Sequence, residues 1–120
     1  MPTRELEVTV RRREGAAVID LAGDVDAAAE SALQRGYDDA VADAGPVVLN
    51  FAGTDYINST GIALIVGLLA QARARGIELT ACGLSDHYRE IFEITRLADF
   101  MRIADNEDGA VKGAERTDDA

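Results

Sequence analysis

The run Asn58-Ser59-Thr60-Gly61 brings hydroxyl groups directly before a long apolar segment, residues 62–70. Asn, Ser and Thr are favoured N-cap residues, so one interpretation is structural: the run begins a helix. The other interpretation is functional. A hydroxyl at a helix N-terminus lies beside free N–H groups and positive potential, which favour an added phosphate. The run therefore predicts a helix cap, a phosphoacceptor at Ser59, or both, since the two roles are compatible.

Two carboxylates, Asp24 and Asp26, stand in a Gly-Asp-Val-Asp turn just before the first predicted helix. The structural interpretation is a turn in which Asp26 caps that helix. The functional interpretation is an anionic neighbour that orients the Ser59 hydroxyl, or that helps to bind the Mg²⁺ of an incoming nucleotide complex. The sequence leaves both open.

The sequence contains no set of residues typical of an enzyme active site. His87 is the only histidine and Cys82 the only cysteine, which leaves neither a catalytic triad nor a zinc ligand set. A Walker loop and a Gly-x-Gly-x-x-Gly motif are also missing. We therefore predict no catalytic residue, no metal and no cofactor, with His87 on the surface and Cys82 in the core. A small α/β enzyme or nucleotide-binding domain is the disfavoured alternative.

The hydrophobic pattern alternates between strands and helices. Period-2 alternation predicts a strand over residues 5–13, paired as an antiparallel hairpin with a second strand over 16–22. Further strands are predicted at 47–51, 77–82 and 100–104, and helices at 27–44, at 59–75, from Ser85 and from Asp105. This order predicts an α/β fold: a mostly parallel β-sheet with an antiparallel N-terminal strand, packed against helices.

In open α/β sheets the functional face lies beyond the carboxyl ends of the strands. The predicted loops there are 23–26, 52–60 and 83–86, and the first two bring acidic and hydroxyl groups together. The helix that follows Ser59 is apolar on all sides over residues 62–70. That pattern indicates either a fully buried helix or an exposed apolar strip that docks a partner.

Length and composition indicate a single domain over residues 1–112, followed by a disordered acidic tail over 113–120. The net charge of -10 repels phosphate backbones and anionic lipids, so we predict neither nucleic acid nor membrane as a direct partner. The N-terminus lacks the apolar region of a signal peptide, and the longest apolar run is too short to span a bilayer. These features predict a cytoplasmic protein.

Four segments, in this order, resemble the STAS domain and most closely its bacterial anti-sigma-factor antagonists. They are residues 21–26, 47–51, 56–62 (YINSTGI) and 91–97, and the resemblance covers about residues 5–105. Two residues depart from the family pattern. Asn58 stands where typical phosphorylated members have Asp, and Arg96 stands where the family often has Gly.

The resemblance implies a binding protein in a partner-switching pathway, not an enzyme. An antagonist of this family binds an anti-sigma factor that is also a serine kinase of the GHKL type, and so frees the sigma factor. The kinase then phosphorylates the antagonist, and a serine phosphatase resets it. Carried over by position, Ser59 is the phosphoacceptor, and the surrounding partner-binding residues are Asp24, Asp26, Asn58, Thr60, Gly61 and Ile62.

Asn58 favours an alternative within the same family: a STAS subunit that is never phosphorylated, such as a scaffold or a companion of a transport ATPase. The sequence leaves open whether two copies of the chain form a homodimer.

Overall fold

The structure, a computed structural model, describes residues 4–43 and 45–116. Its five strands form one sheet in which the spatial order equals the chain order, β1-β2-β3-β4-β5. The strands are β1 (Glu7–Arg13), β2 (Ala16–Val25), β3 (Val47–Ile57), β4 (Leu79–Cys82) and β5 (Arg102–Ala104). β1 pairs antiparallel with β2, and every other pairing is parallel. The predicted mixed α/β sheet is confirmed.

Four α-helices connect and follow the strands: α1 (Glu30–Ala40), α2 (Ser59–Ala74), α3 (Asp86–Ile94) and α4 (Glu107–Arg116). Short 3-10 turns, Ala27–Ala29 and Val41–Asp43, flank α1 on both sides, so the predicted helix is confirmed over residues 27–43 with a 3-10 turn at each end. Residue 44 lies outside the described residues. Gly76 ends α2 with a φ of +69°, and the Ile77 N–H donates back to the Ala72 carbonyl. A glycine in the left-handed region is a common way for an α-helix to end.

The sheet is covered on both faces. The main core lies between one face and the first three helices, and it includes Ile19, Leu49, Leu33, Ile65 and Phe92. Because successive strand residues point to opposite faces, Val18, Val48 and Cys82 form a second, smaller core with Ala110 and Val111 of α4. Burial on both faces explains the nearly continuous apolar runs of β2 and β3.

Two predicted loops are largely strand. β2 continues to Val25 and β3 to Ile57, because the parallel pairing extends through Asp24 opposite Tyr56 and Val25 opposite Ile57. Irregularities in the register occur on the way, where the ladder skips residues on β3. The boundaries predicted at 23–26 and 52–60 are therefore wrong, since a paired neighbour holds glycine- and aspartate-rich backbone extended despite its low strand propensity.

Ion pairs hold the last helix, α4, against the edge strand β1, and we call this set of ion pairs the clamp on α4. Arg11 and Arg13 of β1 each place a guanidinium nitrogen 2.7 Å from a carboxylate oxygen of Glu107, and Arg13 also binds Asp108. α4 continues to Arg116, so residues 113–116 are helical where the sequence predicts a disordered tail, and residues 117–120 lie outside the described part of the chain. Among the described residues, none of the helices has the length and apolar character needed to cross a membrane.

Candidate functional site

Asn58, not Ser59, caps α2. The Asn58 backbone is extended, and its side-chain Oδ1 accepts a hydrogen bond of 2.8 Å from the Gly61 N–H. Ser59 is consequently the first residue of the helix. Its side chain is exposed, and its hydroxyl makes no hydrogen bond within the described part of the chain. Because Asn58 provides the cap, the Ser59 hydroxyl is left without a hydrogen-bond partner among the described residues, at the N-terminus of α2.

The first turn of α2 lies directly on the end of β2. The Asn58 N–H donates to the Val25 carbonyl at 3.2 Å. A Cβ added at Gly61 would come within 2.0 Å of that same oxygen, so only glycine fits. Ile62, the next residue, is half-buried against the main core. Gly61 and Ile62 therefore fix where the exposed Ser59 and Thr60 stand.

Asp24, in β2, and Asp26, directly after that strand, have different structural roles. Asp26 accepts a hydrogen bond from the Ala28 N–H at 3.0 Å and caps the 3-10 turn before α1, which confirms the capping interpretation. Asp24 is buried, and its carboxylate accepts from the Arg4 N–H at 3.0 Å while its own N–H donates to the Arg4 carbonyl. Asp24 thus holds the N-terminal segment and does not orient the Ser59 hydroxyl.

α2 has one buried face and one exposed apolar face. Ile65, Leu68, Leu69 and Ala72 are buried in the main core. On the opposite side a stripe at helical spacing is exposed, consisting of Ser59, Ala63, Val66 and Ala70. Val66 is 45% exposed, which is high for a β-branched apolar residue. The helix is therefore not fully buried: one side of it packs on the main core and the other side exposes an apolar strip to solvent. That the exposed strip docks a partner stays a prediction. We call the stripe from Ser59 to Ala70 the outer face of α2.

The family model for the STAS domain matches residues 7–110, which is most of the chain. The chain belongs to the STAS domain family. Among curated proteins, the anti-sigma-B factor antagonist of Listeria monocytogenes is 37% identical over 65 residues, covering 54% of this chain and 56% of that protein. That of Staphylococcus aureus is 37% identical over 57 residues, covering 48% and 53%. The matched region thus spans only about half the length of these relatives.

Solved structures show the same fold at low sequence identity. An anti-sigma factor antagonist from Mycobacterium paratuberculosis superposes with a TM-score of 0.75 at 19% identity, over 92% of this chain and 95% of that one. The unphosphorylated form of the anti-sigma factor antagonist SpoIIAA gives 0.69 at 17%, over 92% and 98%. A sulfate transporter family protein from Wolinella succinogenes gives 0.74 at 17%, over 86% and 87%. These likenesses establish the STAS fold.

Arg96 stands where the family often has glycine, and its backbone has a conformation that favours glycine. Its φ is +69°, in the left-handed region between α3 and the 3-10 turn Leu97–Asp99. An ion pair of 2.6 Å between its Nε and Asp99 keeps the exposed side chain in place. The STAS domain therefore keeps the turn here at the cost of a strained residue.

Two long-range contacts at the site have no local sequence signal. Arg4 pairs with Asp55 of β3 at 2.7 Å, and the Tyr88 hydroxyl of α3 accepts a hydrogen bond of 3.0 Å from the Ile57 N–H. Each contact joins residues that are distant along the chain, so only the fold brings them together. The predictions of an exposed His87 and a buried Cys82 are confirmed.

Proposed function

We propose that this STAS domain is an anti-sigma factor antagonist that binds its anti-sigma factor through the outer face of α2 and is released when Ser59 is phosphorylated. The free, exposed hydroxyl of Ser59 at the start of that apolar face carries the proposal. The names of the relatives from Listeria and Staphylococcus support the same role. The protein acts in the cytoplasm as a binding protein, without a catalytic residue, metal or cofactor of its own.

The anti-sigma factor is proposed to be a serine kinase of the GHKL type, and a serine phosphatase reverses the modification. A phosphate adds about -1.5 to -2 charges at neutral pH. On Ser59 it would be stabilised locally by the N-terminus of α2, so the fold survives. It would also place charge and bulk at one end of the apolar docking stripe. A loss of about 3 kcal/mol in binding corresponds to more than a hundredfold in affinity.

The docking surface is tested by calorimetry with each purified anti-sigma factor encoded in the source genome. Val66→Asp places a carboxylate in the middle of the outer face, and Ser59→Asp places one at its end. We expect each to weaken binding by about a hundredfold. The matched control is Ile94→Asp, because Ile94 is an apolar residue that is 70% exposed but belongs to a different helix, at the end of α3. Equal affinity of the Val66→Asp and Ile94→Asp variants would reject the outer face as the docking site.

Phosphorylation is tested separately with the anti-sigma factor that binds, together with ATP and Mg²⁺. We expect one phosphate per chain in the wild type and in Thr60→Ala, and none in Ser59→Ala. Thr60 is the right control, since it is the next exposed hydroxyl on the same turn. Undiminished labelling of Ser59→Ala would refute Ser59 as the phosphoacceptor.

A second candidate is a STAS scaffold or accessory subunit of a transport ATPase that is never phosphorylated. Asn58 favours it, because an amide caps α2 without the charge that typical phosphorylated members carry at this position. Intact-mass measurement on protein from its native cells separates the two. A phosphorylated species heavier by about 80 Da supports the antagonist, and its persistent absence supports the scaffold.

A further inference from the structure

β3 extends well beyond the strand on its far side. β4 ends at Cys82, whose partner on β3 is Asn50, while β3 itself runs on to Ile57. Over this extension β3 pairs only with β2. Backbone N–H groups that face the missing neighbour must find other acceptors, because an unpaired buried N–H is costly.

Tyr88 supplies that acceptor at the last residue of the strand. Ile57 is buried, and its N–H donates to the Tyr88 hydroxyl at 3.0 Å. The next N–H, that of Asn58, donates in the opposite direction to the Val25 carbonyl. The end of β3 is thus held from both sides, by α3 on one and by β2 on the other.

The Tyr88 ring is itself held in place. The backbone N–H of Tyr88 donates to the Ser85 hydroxyl that caps α3. The Tyr88 ring packs against the main core, and the His87 ring lies edge-on to it, with 4.8 Å between the ring centroids. A half-buried phenol fixed by its helix presents its oxygen at a defined position. Any shift of α3 therefore moves the hydrogen bond to Ile57.

We propose that Tyr88 is a positioning residue that sets the N-terminal turn of α2, and with it Ser59, from the neighbouring helix α3. Only Asn58 separates Ile57 from Ser59, so the hydrogen bond acts within two residues of the hydroxyl. The role of the positioned Ser59 hydroxyl as a phosphoacceptor rests on the proposed function. Its position, in contrast, can be measured on the protein alone. Through this hydrogen bond α3 contacts the backbone that leads into the Ser59 site.

The chain offers a matched pair of tyrosines for the test. The Tyr37 hydroxyl is also buried, yet it has no hydrogen-bond partner among the described residues. Tyr88→Phe and Tyr37→Phe remove the same atom, and only the first removes a hydrogen bond. Amide hydrogen exchange and amide chemical shifts, measured by NMR on each protein alone, compare them with the wild type.

We expect Tyr88→Phe to speed exchange at Ile57 by roughly five- to tenfold and to shift the amide resonances of residues 57–61. Amides of β2 and α1 should exchange as in the wild type, and Tyr37→Phe should leave residues 57–61 unchanged. A uniform acceleration over the core would mean that Tyr88 is merely structural. An unchanged Ile57 amide would overturn the proposal as well.

Should Tyr88→Phe fail to fold, 3-fluorotyrosine at position 88 keeps the hydroxyl but makes its oxygen a poorer acceptor. The Ile57 amide resonance must then move, and a fixed resonance overturns the proposal. With the anti-sigma factor that binds in the earlier assay, Tyr88→Phe should slow phosphorylation of Ser59 mainly through kcat. If none binds, the proposed function fails while the exchange result still stands by itself.

Discussion

Gly61 and Val25 lie in direct backbone contact: a Cβ at position 61 would stand 2.0 Å from the Val25 carbonyl oxygen. The contact seats the first turn of α2 on the end of β2. Ser59 belongs to that turn, so the position of its exposed hydroxyl depends on a residue that has no side chain. An L residue at position 61 can be accommodated only if helix and strand move apart.

Gly61→Ala should therefore destabilise the protein by about 1–3 kcal/mol, since the clash is with backbone and not with a flexible side chain. Gly67→Ala in the same helix is the matched control. A Cβ there meets nothing within 4 Å, so the substitution should stabilise by about 1 kcal/mol through helix propensity alone. Urea unfolding measures both free energies. Equal effects of the two substitutions would contradict the close contact.

Removing the cap and removing the candidate phosphoacceptor should have different effects on stability. Asn58→Ala deletes the oxygen that accepts from the Gly61 N–H, and we expect it to cost about 1 kcal/mol of unfolding free energy. Ser59→Ala deletes an exposed hydroxyl without a partner and should change stability by less than about 0.5 kcal/mol. Thermal unfolding of both variants is the measurement. A larger loss in Ser59→Ala would mean that Ser59 caps the helix.

Cys82 should react slowly with thiol reagents, and its rate should rise steeply with pH. Burial raises the pKa of the Cys82 thiol to about 11, with Glu107 and Asp20 contributing further. The thiolate is the reactive form, so the rate with Ellman's reagent should increase about tenfold per pH unit between pH 8 and 10. In urea, where the thiol is free, the rate should level off near its ordinary pKa. Levelling near pH 9 in the native protein would show that the reaction passes through an opened state.

The clamp on α4 should weaken in acid. Hydrogen bonds from Arg11 and then Arg13 hold the pKa of Glu107 below its ordinary value. A carboxylate with a depressed pKa in the folded state stabilises the protein at neutral pH, and this contribution is lost as the pH falls through the depressed pKa.

Glu107→Gln should accordingly lower stability at pH 7 by up to about 1 kcal/mol, since the arginines are partly exposed and screened. The difference from the wild type should shrink as the pH falls below the ordinary pKa of a glutamate and through the depressed pKa of Glu107. Glu90→Gln is the control, because Glu90 is exposed on α3 and forms no ion pair in the described part of the chain. A deficit in Glu107→Gln that persists undiminished at pH 3 would show that packing, not charge, holds α4.

Arg96→Gly should stabilise the protein or leave it unchanged. Glycine removes the penalty of a φ of +69°, about 1 kcal/mol, while it gives up chain entropy and an exposed ion pair that is worth little. Chemical denaturation of the variant measures the balance. A loss of more than about 1 kcal/mol would show that the pair with Asp99 matters more than the strain.

The local pattern of the sequence was enough to predict the elements. Alternation in β1 and the helical period of α1 depend on the side chains of neighbouring residues, and so do the caps at Asp26 and Ser85. The start of a helix at the run Asn58-Ser59-Thr60-Gly61 was predicted for the same reason. The ends of the strands and their order in the sheet could not be predicted from the local pattern, because strands pair with residues that are distant along the chain. Asp24 has the composition of a turn, yet the ladder to Tyr56 makes it strand.

A hydroxyl at the start of an apolar helix in an α/β domain follows from the local residue pattern. The neighbours of that hydroxyl depend on how the distant parts of the chain pack together. In the folded protein the Asp24 carboxylate accepts a hydrogen bond from the Arg4 N–H, and the Asn58 side chain caps α2. The fold also brings the Tyr88 oxygen to the Ile57 N–H. The physical reason is the same in each case: a buried polar group takes the partner that the fold brings within about 3 Å, wherever that partner stands in the chain.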